Sequence, residues 1–282
     1  MQYLLLLVLL VVSSPQNILM KQYTKRTPKP NQFLFLAVSS IAAMLFFCVS
    51  AGKDFALSWE FVPYSIATAI AYAAALIGLN LAIQTGPLAI TSLVMSYSLI
   101  IPTLYGIVML KETIGITAYV GIILLIISLY FINVKKEAVK FSAKWIFYLV
   151  IGFVANGTCS VIQKMQQIRF EGAYRSEFMV VALALVFLMF VTIEVCKKTN
   201  LKTDLKACGG YAALYGISNG ATNLLVLIMT GLIPNAILFP SISAGTSIVM
   251  FLVSTFIYKE KLSKLQMLGY AIGVVSIICL NI

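Results

Sequence analysis

The sequence predicts an all-α polytopic membrane protein of about ten transmembrane helices, arranged as two inverted five-helix repeats. Three observations predict it. Charge is missing over long runs: no Asp, Glu, Lys or Arg occurs from Phe61 to Leu110, and after the Lys111–Glu112 pair none recurs until Lys135. Of the 282 residues, 61% are hydrophobic and 10% charged, with a mean hydropathy of +1.00; soluble domains hold roughly 45–50% apolar and about 25% charged residues. Finally, stretches of the first half reappear in the second. Only helices and closed barrels satisfy their backbone groups in lipid. Barrel strands alternate apolar and polar residues over about 10 positions, whereas these runs are continuous and longer.

A spanning helix needs about 20 predominantly apolar residues. That length places spans at 2–20, 32–51, 61–83, 87–110, 114–133, 145–163, 176–196, 208–230, 234–257 and 265–282. The first, "MQYLLLLVLLVVSS", has the look of a secretory signal but lacks a positively charged n-region. It also has an internal counterpart, since "YLLLLVLLVVSSPQNILMKQY" resembles "FYLVIGFVANGTCSVIQKMQQ", with Lys21 matching Lys164. It is therefore read as a retained helix, kinked where Pro15 lacks an N–H and frees a carbonyl toward a cavity. In the third span Ala67, Ala71 and Ala75 recur every four positions, a packing seam. The fourth and fifth spans meet at "LKETIGITAYVGIILLIISLYFI", which matches "YKEKLSKLQMLGYAIGVVSIICL" between the ninth and tenth. Lys111–Glu112 falls on Lys259–Glu260, Gly121 on Gly269 and Ser128 on Ser276; Tyr64 likewise corresponds to Tyr211. Each Lys–Glu pair reads as punctuation, a tight turn set where headgroups and water begin. In the seventh span Glu194, with Lys197 and Lys198 at i+3 and i+4, reads as an interfacial ion pair.

The match divides the chain into repeats at 1–138 and 139–282. Five spans per repeat bring the second copy into the membrane from the opposite side, an arrangement found in secondary transporters with a substrate site near the midplane. The turns at Thr85–Gly86–Pro87 and Gly231–Pro234 would serve as hinges. Orientation follows from the cations. Of 20 Lys and Arg, 15 lie in loops after odd-numbered spans, among them Lys25, Lys136, Lys197 and Lys264, against 5 on the other face. The richer face is expected in the cytoplasm, with both termini outside a plasma membrane. The net charge of +11 is absorbed by this topology and needs no nucleic-acid partner.

Polar residues inside spans are costly in lipid and face a cavity or the bundle interior. At about 100° per residue, Tyr215, Ser218, Asn219, Thr222 and Asn223 of the eighth span share an arc of roughly 140°, flanked by Gly216 and Gly220. On the first span Ser13, Ser14, Gln16 and Asn17 gather around Pro15; on the sixth, Asn156, Ser160, Gln163 and Lys164 share a face. Tyr72 and Asn80 on the third span, and Ser96 and Tyr97 on the fourth, complete the candidate substrate lining. The same residues could instead hold helices together by hydrogen bonds. Lys21 and Lys164 are expected to snorkel from helix ends to the interface. A lining of amides, hydroxyls and tyrosines suits a neutral or zwitterionic solute, not a bare divalent cation, which wants carboxylates. There is no histidine, the five cysteines form no C-x-x-C pair, and no mid-span carboxylate is available. Acid–base catalysis, a metal or another cofactor is therefore not expected.

The "IQTGPLAITSL" entry to the fourth span, "LKETIGITAYVGIILLIISLYF" and its echo "YKEKLSKLQMLGYAIGVVSI" resemble the drug/metabolite transporter superfamily, of the EamA-like ten-helix kind, over essentially the whole chain. The resemblance implies secondary transport of a small metabolite, often its export, through a cavity between the two halves; the repeats would work by alternating access, in a monomer or homodimer. A flippase for a lipid-linked headgroup is the alternative on the same fold. In such families the termini are mostly cytoplasmic, opposite to the charge count here. "ILMKQY" also resembles the end of the first helix in the small multidrug resistance branch. That branch's proton-coupling glutamate would fall on Ser13 and, in the second repeat, on Asn156. Neither side chain titrates, so that coupling mechanism is not expected.

Overall fold

The computed structural model describes residues 2–28, 30–52, 55–85, 88–133, 142–197, 201–253 and 263–281. Gly86, Pro87, Lys135, Lys136, Lys198, Lys259 and Glu260 lie outside the described residues, as does the side chain of Asn17. The chain is an all-α membrane protein. Its helices are α1 (Gln2–Arg26), α2 (Gln32–Ala51), α3 (Val62–Thr85), α4 (Leu88–Tyr97), α5 (Ile100–Leu104), α6 (Ile116–Asn133), α7 (Ala143–Arg169), α8 (Arg175–Lys197), α9 (Leu201–Thr230), α10 (Asn235–Leu252) and α11 (Lys264–Asn281). Among the described residues α1, α2, α3, α7, α8 and α9 are long and apolar enough to cross a membrane; Val94–Met109, Ile116–Ile132, Asn235–Val249 and Lys264–Leu280 are shorter apolar helical stretches.

The helices form two compact units that draw on both halves of the sequence. The first comprises Met1–Ala73 and Ile162–Gly231, the second Ala74–Val161 and Leu232–Ile282, so α3 and α7 each contribute to both. In the first unit α2 packs on α8 and α9, and α1 on α9. Its core joins Ala43, Phe47, Phe61, Phe178, Met179, Leu183 and Leu227. A second cluster gathers Tyr23, Leu34, Phe35, Cys208 and Ala212. The start of α2 is fixed by Asn31, whose side chain accepts from the Leu34 amide and so satisfies one of the donors a helix leaves open at its N-terminus.

In the second unit α6 lies along α11, and their contact is reciprocal. Ser128 Oγ donates to the Gly269 carbonyl at 2.7 Å, and Ser276 Oγ to the Gly121 carbonyl at 2.8 Å. These are the residues the sequence match pairs, exchanged between two antiparallel helices. The close approach requires glycine. A Cβ on Gly121 would stand 2.9 Å from the Leu280 amide nitrogen, and one on Gly269 would stand 2.8 Å from that of Ile132.

Three local details differ from the sequence expectation. The fourth span is not one helix: α4 ends at Tyr97, α5 begins at Ile100, and a π-helical turn follows at Tyr105–Met109. Pro102 has no N–H to offer the Ser98 carbonyl four residues back, which instead receives the Ile101 amide at 3.1 Å. Pro15, by contrast, sits inside an unbroken α1. The carbonyl it leaves without an amide, that of Val11, accepts the Ser14 hydroxyl at 2.8 Å and so is satisfied within the helix. The Lys111–Glu112 pair does lie in the turn after the fourth span, but the carboxylate has a packing role there. Glu112 Oε2 accepts from the Ala236 amide at 3.0 Å in the first turn of α10, where a negative charge is favoured.

Candidate functional site

The arc predicted on the eighth span lies on α9. In the first unit its residues meet amides and a phenol from three other helices. Gln16 Nε2 of α1 donates to Thr222 Oγ1 at 2.9 Å, and Asn219 Nδ2 donates back to Gln16 Oε1 at 3.3 Å. Tyr72 of α3 donates its hydroxyl to Asn219 Oδ1 at 3.2 Å. Asn223 Nδ2 reaches both the carbonyl and Oδ1 of Asn219, at 2.9 and 3.2 Å. Gln163 Nε2 of α7 donates to Asn223 Oδ1 at 3.5 Å. Ser218 Oγ donates to the Val12 carbonyl at 2.5 Å, tying α9 to α1 beside the network. The result is an uncharged cluster of four amides, a hydroxyl and a phenol held by four apolar helices. An amide both donates and accepts, so such a cluster can exchange its internal bonds for bonds to a hydrogen-bonding solute.

Beside it lies a chamber of about 10 Å³ lined by Thr68, Tyr72 and Gln163 together with apolar side chains of α8, Met179 and Leu183 among them. Thr68 is 2% exposed, and its hydroxyl has no hydrogen-bond partner among the described residues. About 10–15 Å³ is the space one water needs, and it also needs two to four polar partners, which Thr68, Tyr72 and Gln163 supply. Thr68→Val, which keeps the shape and removes the hydroxyl, is therefore expected to lower stability by about 1 kcal/mol. Thermal unfolding of the variant would check this, and a rise in its melting temperature would mean the chamber is dry.

The remaining sequence candidates lie elsewhere. Ser13 spends its hydroxyl on the Leu10 carbonyl of its own helix. Tyr215 shares the α9 arc but stacks edge-on against Phe35, ring centroids 5.3 Å apart. In the second unit Asn80 accepts from Gln84 one turn away, at 2.5 Å. Asn156 Nδ2 donates to Ser98 Oγ at 2.6 Å, and a Cβ on the adjacent Gly157 would meet the Ser98 carbonyl at 2.8 Å. This pair therefore docks α7 onto the broken fourth span. Ser160 is half-buried on α7. Ser96 and Tyr97 line a separate, apolar cavity.

Lys164 departs from expectation. It is 8% exposed, and its ammonium donates to the Thr230 carbonyl at the C-terminus of α9, where a cation complements the helix dipole. Lys21 is exposed, as a snorkelling lysine would be. Glu194 pairs with Lys197 at 3.6 Å, but it is 1% exposed and also accepts from Asn31 Nδ2 at 2.6 Å. Asn31 bridges it to Asp204 at 3.0 Å. Sequence reasoning missed Thr68, Ser98 and Asn31. It also missed Asn235, a wholly buried amide without a hydrogen-bond partner among the described residues.

No family model matches the sequence, and the search of curated proteins returns no match. Among solved structures, one described only as the "Crystal structure of protein" superposes with a TM-score of 0.78 at 12% identity, covering 100% of this chain and 98% of that one. At that identity the likeness establishes a shared fold.

Proposed function

We propose that the protein is a secondary transporter of a small neutral or zwitterionic solute, working by alternating access between two inverted five-helix repeats, 1–138 and 139–282. The observation that carries the reading is the uncharged network of Gln16, Tyr72, Gln163, Asn219, Thr222 and Asn223 within membrane-crossing helices. Lipid penalises such groups, and residues of this kind mark substrate pathways. The reciprocal serine–carbonyl bonds between α6 and α11 support the inversion, because matched helices of inverted repeats run antiparallel. The cation bias supports a plasma-membrane protein with both termini outside.

The test is thermal unfolding of the purified protein in detergent against amino acids, nucleosides, sugars, organic cations and prenyl phosphates. A ligand at 100 times its Kd stabilises by about 2.7 kcal/mol. One small-solute class is expected to raise the melting temperature of the wild type and to have no effect on Asn219→Ala or Gln16→Ala. Absence of a shift with any class, or a shift that survives both substitutions, would overturn the proposal. A response confined to prenyl phosphates would favour a flippase.

A further inference from the structure

The second unit contains a cavity of about 320 Å³ that the solute network does not use. It runs between the fourth span and α6, floored by Pro240 and Ser243 of α10. The two walls run antiparallel from the turn at 110–115. Tyr97 Oη donates to the Ile126 carbonyl at 2.9 Å, which sets Tyr97 opposite Ile126 far from that turn. Leu104 and Tyr119 share the near end. The α6 wall extends from Tyr119 to Leu129, eleven residues whose ten steps rise about 15 Å at 1.5 Å each. That is half of a hydrocarbon core about 30 Å thick, the depth of one leaflet. A volume of about 320 Å³ along that wall describes a long, slot-like groove with room for an extended chain of methylenes.

Its chemistry agrees. The hydroxyls of Tyr97 and Thr103 are spent on the carbonyls of Ile126 and Leu99, so the interior is almost entirely apolar. Leu129 and Leu125 are buried at the back, whereas Leu104, Tyr119 and Ile123 are 52%, 46% and 57% exposed at the mouth. On membrane helices an exposed apolar rim borders lipid, so the slot is continuous with the lipid-facing surface. Tyr119 stands one turn from the start of α6, and its hydroxyl has no hydrogen-bond partner among the described residues. Tyrosines favour the headgroup level, where this one can donate to an ester carbonyl.

We propose that this slot binds one acyl chain of a bilayer phospholipid, laid along α6 from Tyr119 toward Leu129, with its ester at the Tyr119 hydroxyl. The inference does not rest on the transport reading. The experiment places the full-length protein in nanodiscs of phosphatidylcholine carrying a photoactivatable diazirine midway along one chain, and maps the adducts after irradiation. The expected result is saturable labelling concentrated on the 96–107 and 119–129 peptides and competed by unlabelled phosphatidylcholine. Ile123→Trp, which plugs the mouth from a lipid-facing position, should reduce it severalfold, and Tyr119→Phe should weaken it. Ser243→Leu, which fills the floor, should do the same if it folds; Ile123→Trp decides the matter if it does not. Non-saturable labelling spread over all exposed spans and indifferent to Ile123→Trp would mean annular lipid only and would overturn the proposal. So would labelling of these peptides by a single-chain diazirine amphiphile but not by the phospholipid.

Discussion

One methyl group at position 216 is expected to destabilise the protein by about 3 kcal/mol, the upper end of what overpacking costs. A Cβ on Gly216 of α9 would lie 2.2 Å from the Ser39 carbonyl oxygen and 2.7 Å from the Ala42 Cβ, both on α2. Neither obstacle is the free end of a flexible side chain, so relief requires the two helices to separate. Asn219 follows on α9 within the next turn, so Gly216→Ala is also expected to blunt any solute response. The control lies on the same helix. Gly210 has nothing within 4 Å of its would-be Cβ, and Gly210→Ala should be neutral or stabilising by up to about 1 kcal/mol, through helix propensity alone. Thermal or denaturant unfolding of both variants checks the pair. Equal stability of Gly216→Ala and the wild type would refute the close crossing of α2 and α9.

Asn31→Ala is the second large effect, with an expected loss of about 2–4 kcal/mol, because the side chain does two jobs. Its carbonyl oxygen caps α2 through the Leu34 amide, and a lost cap costs about 0.5–2 kcal/mol. Its amide nitrogen donates to the carboxylates of Glu194 and Asp204, and hydrogen bonds to charged groups contribute about 1.5–3 kcal/mol. Lys197, 3.6 Å from Glu194, is also drawn over the Phe33 ring, 3.7 Å from its centroid, so it cannot move freely to compensate. Asn31→Asp separates the two jobs: it keeps the cap oxygen but sets a third carboxylate between the other two. It should be at least as unstable as Asn31→Ala. Pairing Asn31→Ala with Glu194→Gln should recover part of the loss, the signature of coupled neighbours; strictly additive losses would show that Asn31 acts as a cap alone.

The helices were legible in the sequence because charge and length fix where lipid ends, and those signals are local. The break at Ser98 was less so. Pro102 was visible, but so were Pro15, whose freed Val11 carbonyl takes the Ser14 hydroxyl, and Pro240, and both of these lie inside unbroken helices. A proline in an apolar run therefore does not by itself mark a break, and periodicity adds nothing to decide it. Within the candidate site, the α9 arc could be read from helical spacing alone. Its partners could not be sorted, because Gln16 and Tyr72 meet it across 203 and 147 residues of sequence. Tyr215 had the same angular credentials as Asn219 and turned to Phe35 instead. Lys164 looked like a snorkelling lysine because a helix-end lysine has two comparable outlets, water or a neighbouring helix's last carbonyls. Thr68 carried no signal at all: a lone threonine in an alanine-rich helix is ordinary until α8 closes over it.

The exchange of serine and glycine carbonyl between α6 and α11 has the form of an isologous contact, in which one position meets a second and their counterparts repeat the meeting. Two free copies of one half, inserted in opposite senses, would present the same self-complementary face to each other. In that dimer a single altered codon would remove both hydrogen bonds at once. On one continuous chain it removes only one: Ser128→Ala spares the bond from Ser276, and Ser276→Ala spares the other. Within this one chain the seam is thus redundant to mutation: either serine can be lost while the other still ties α6 to α11.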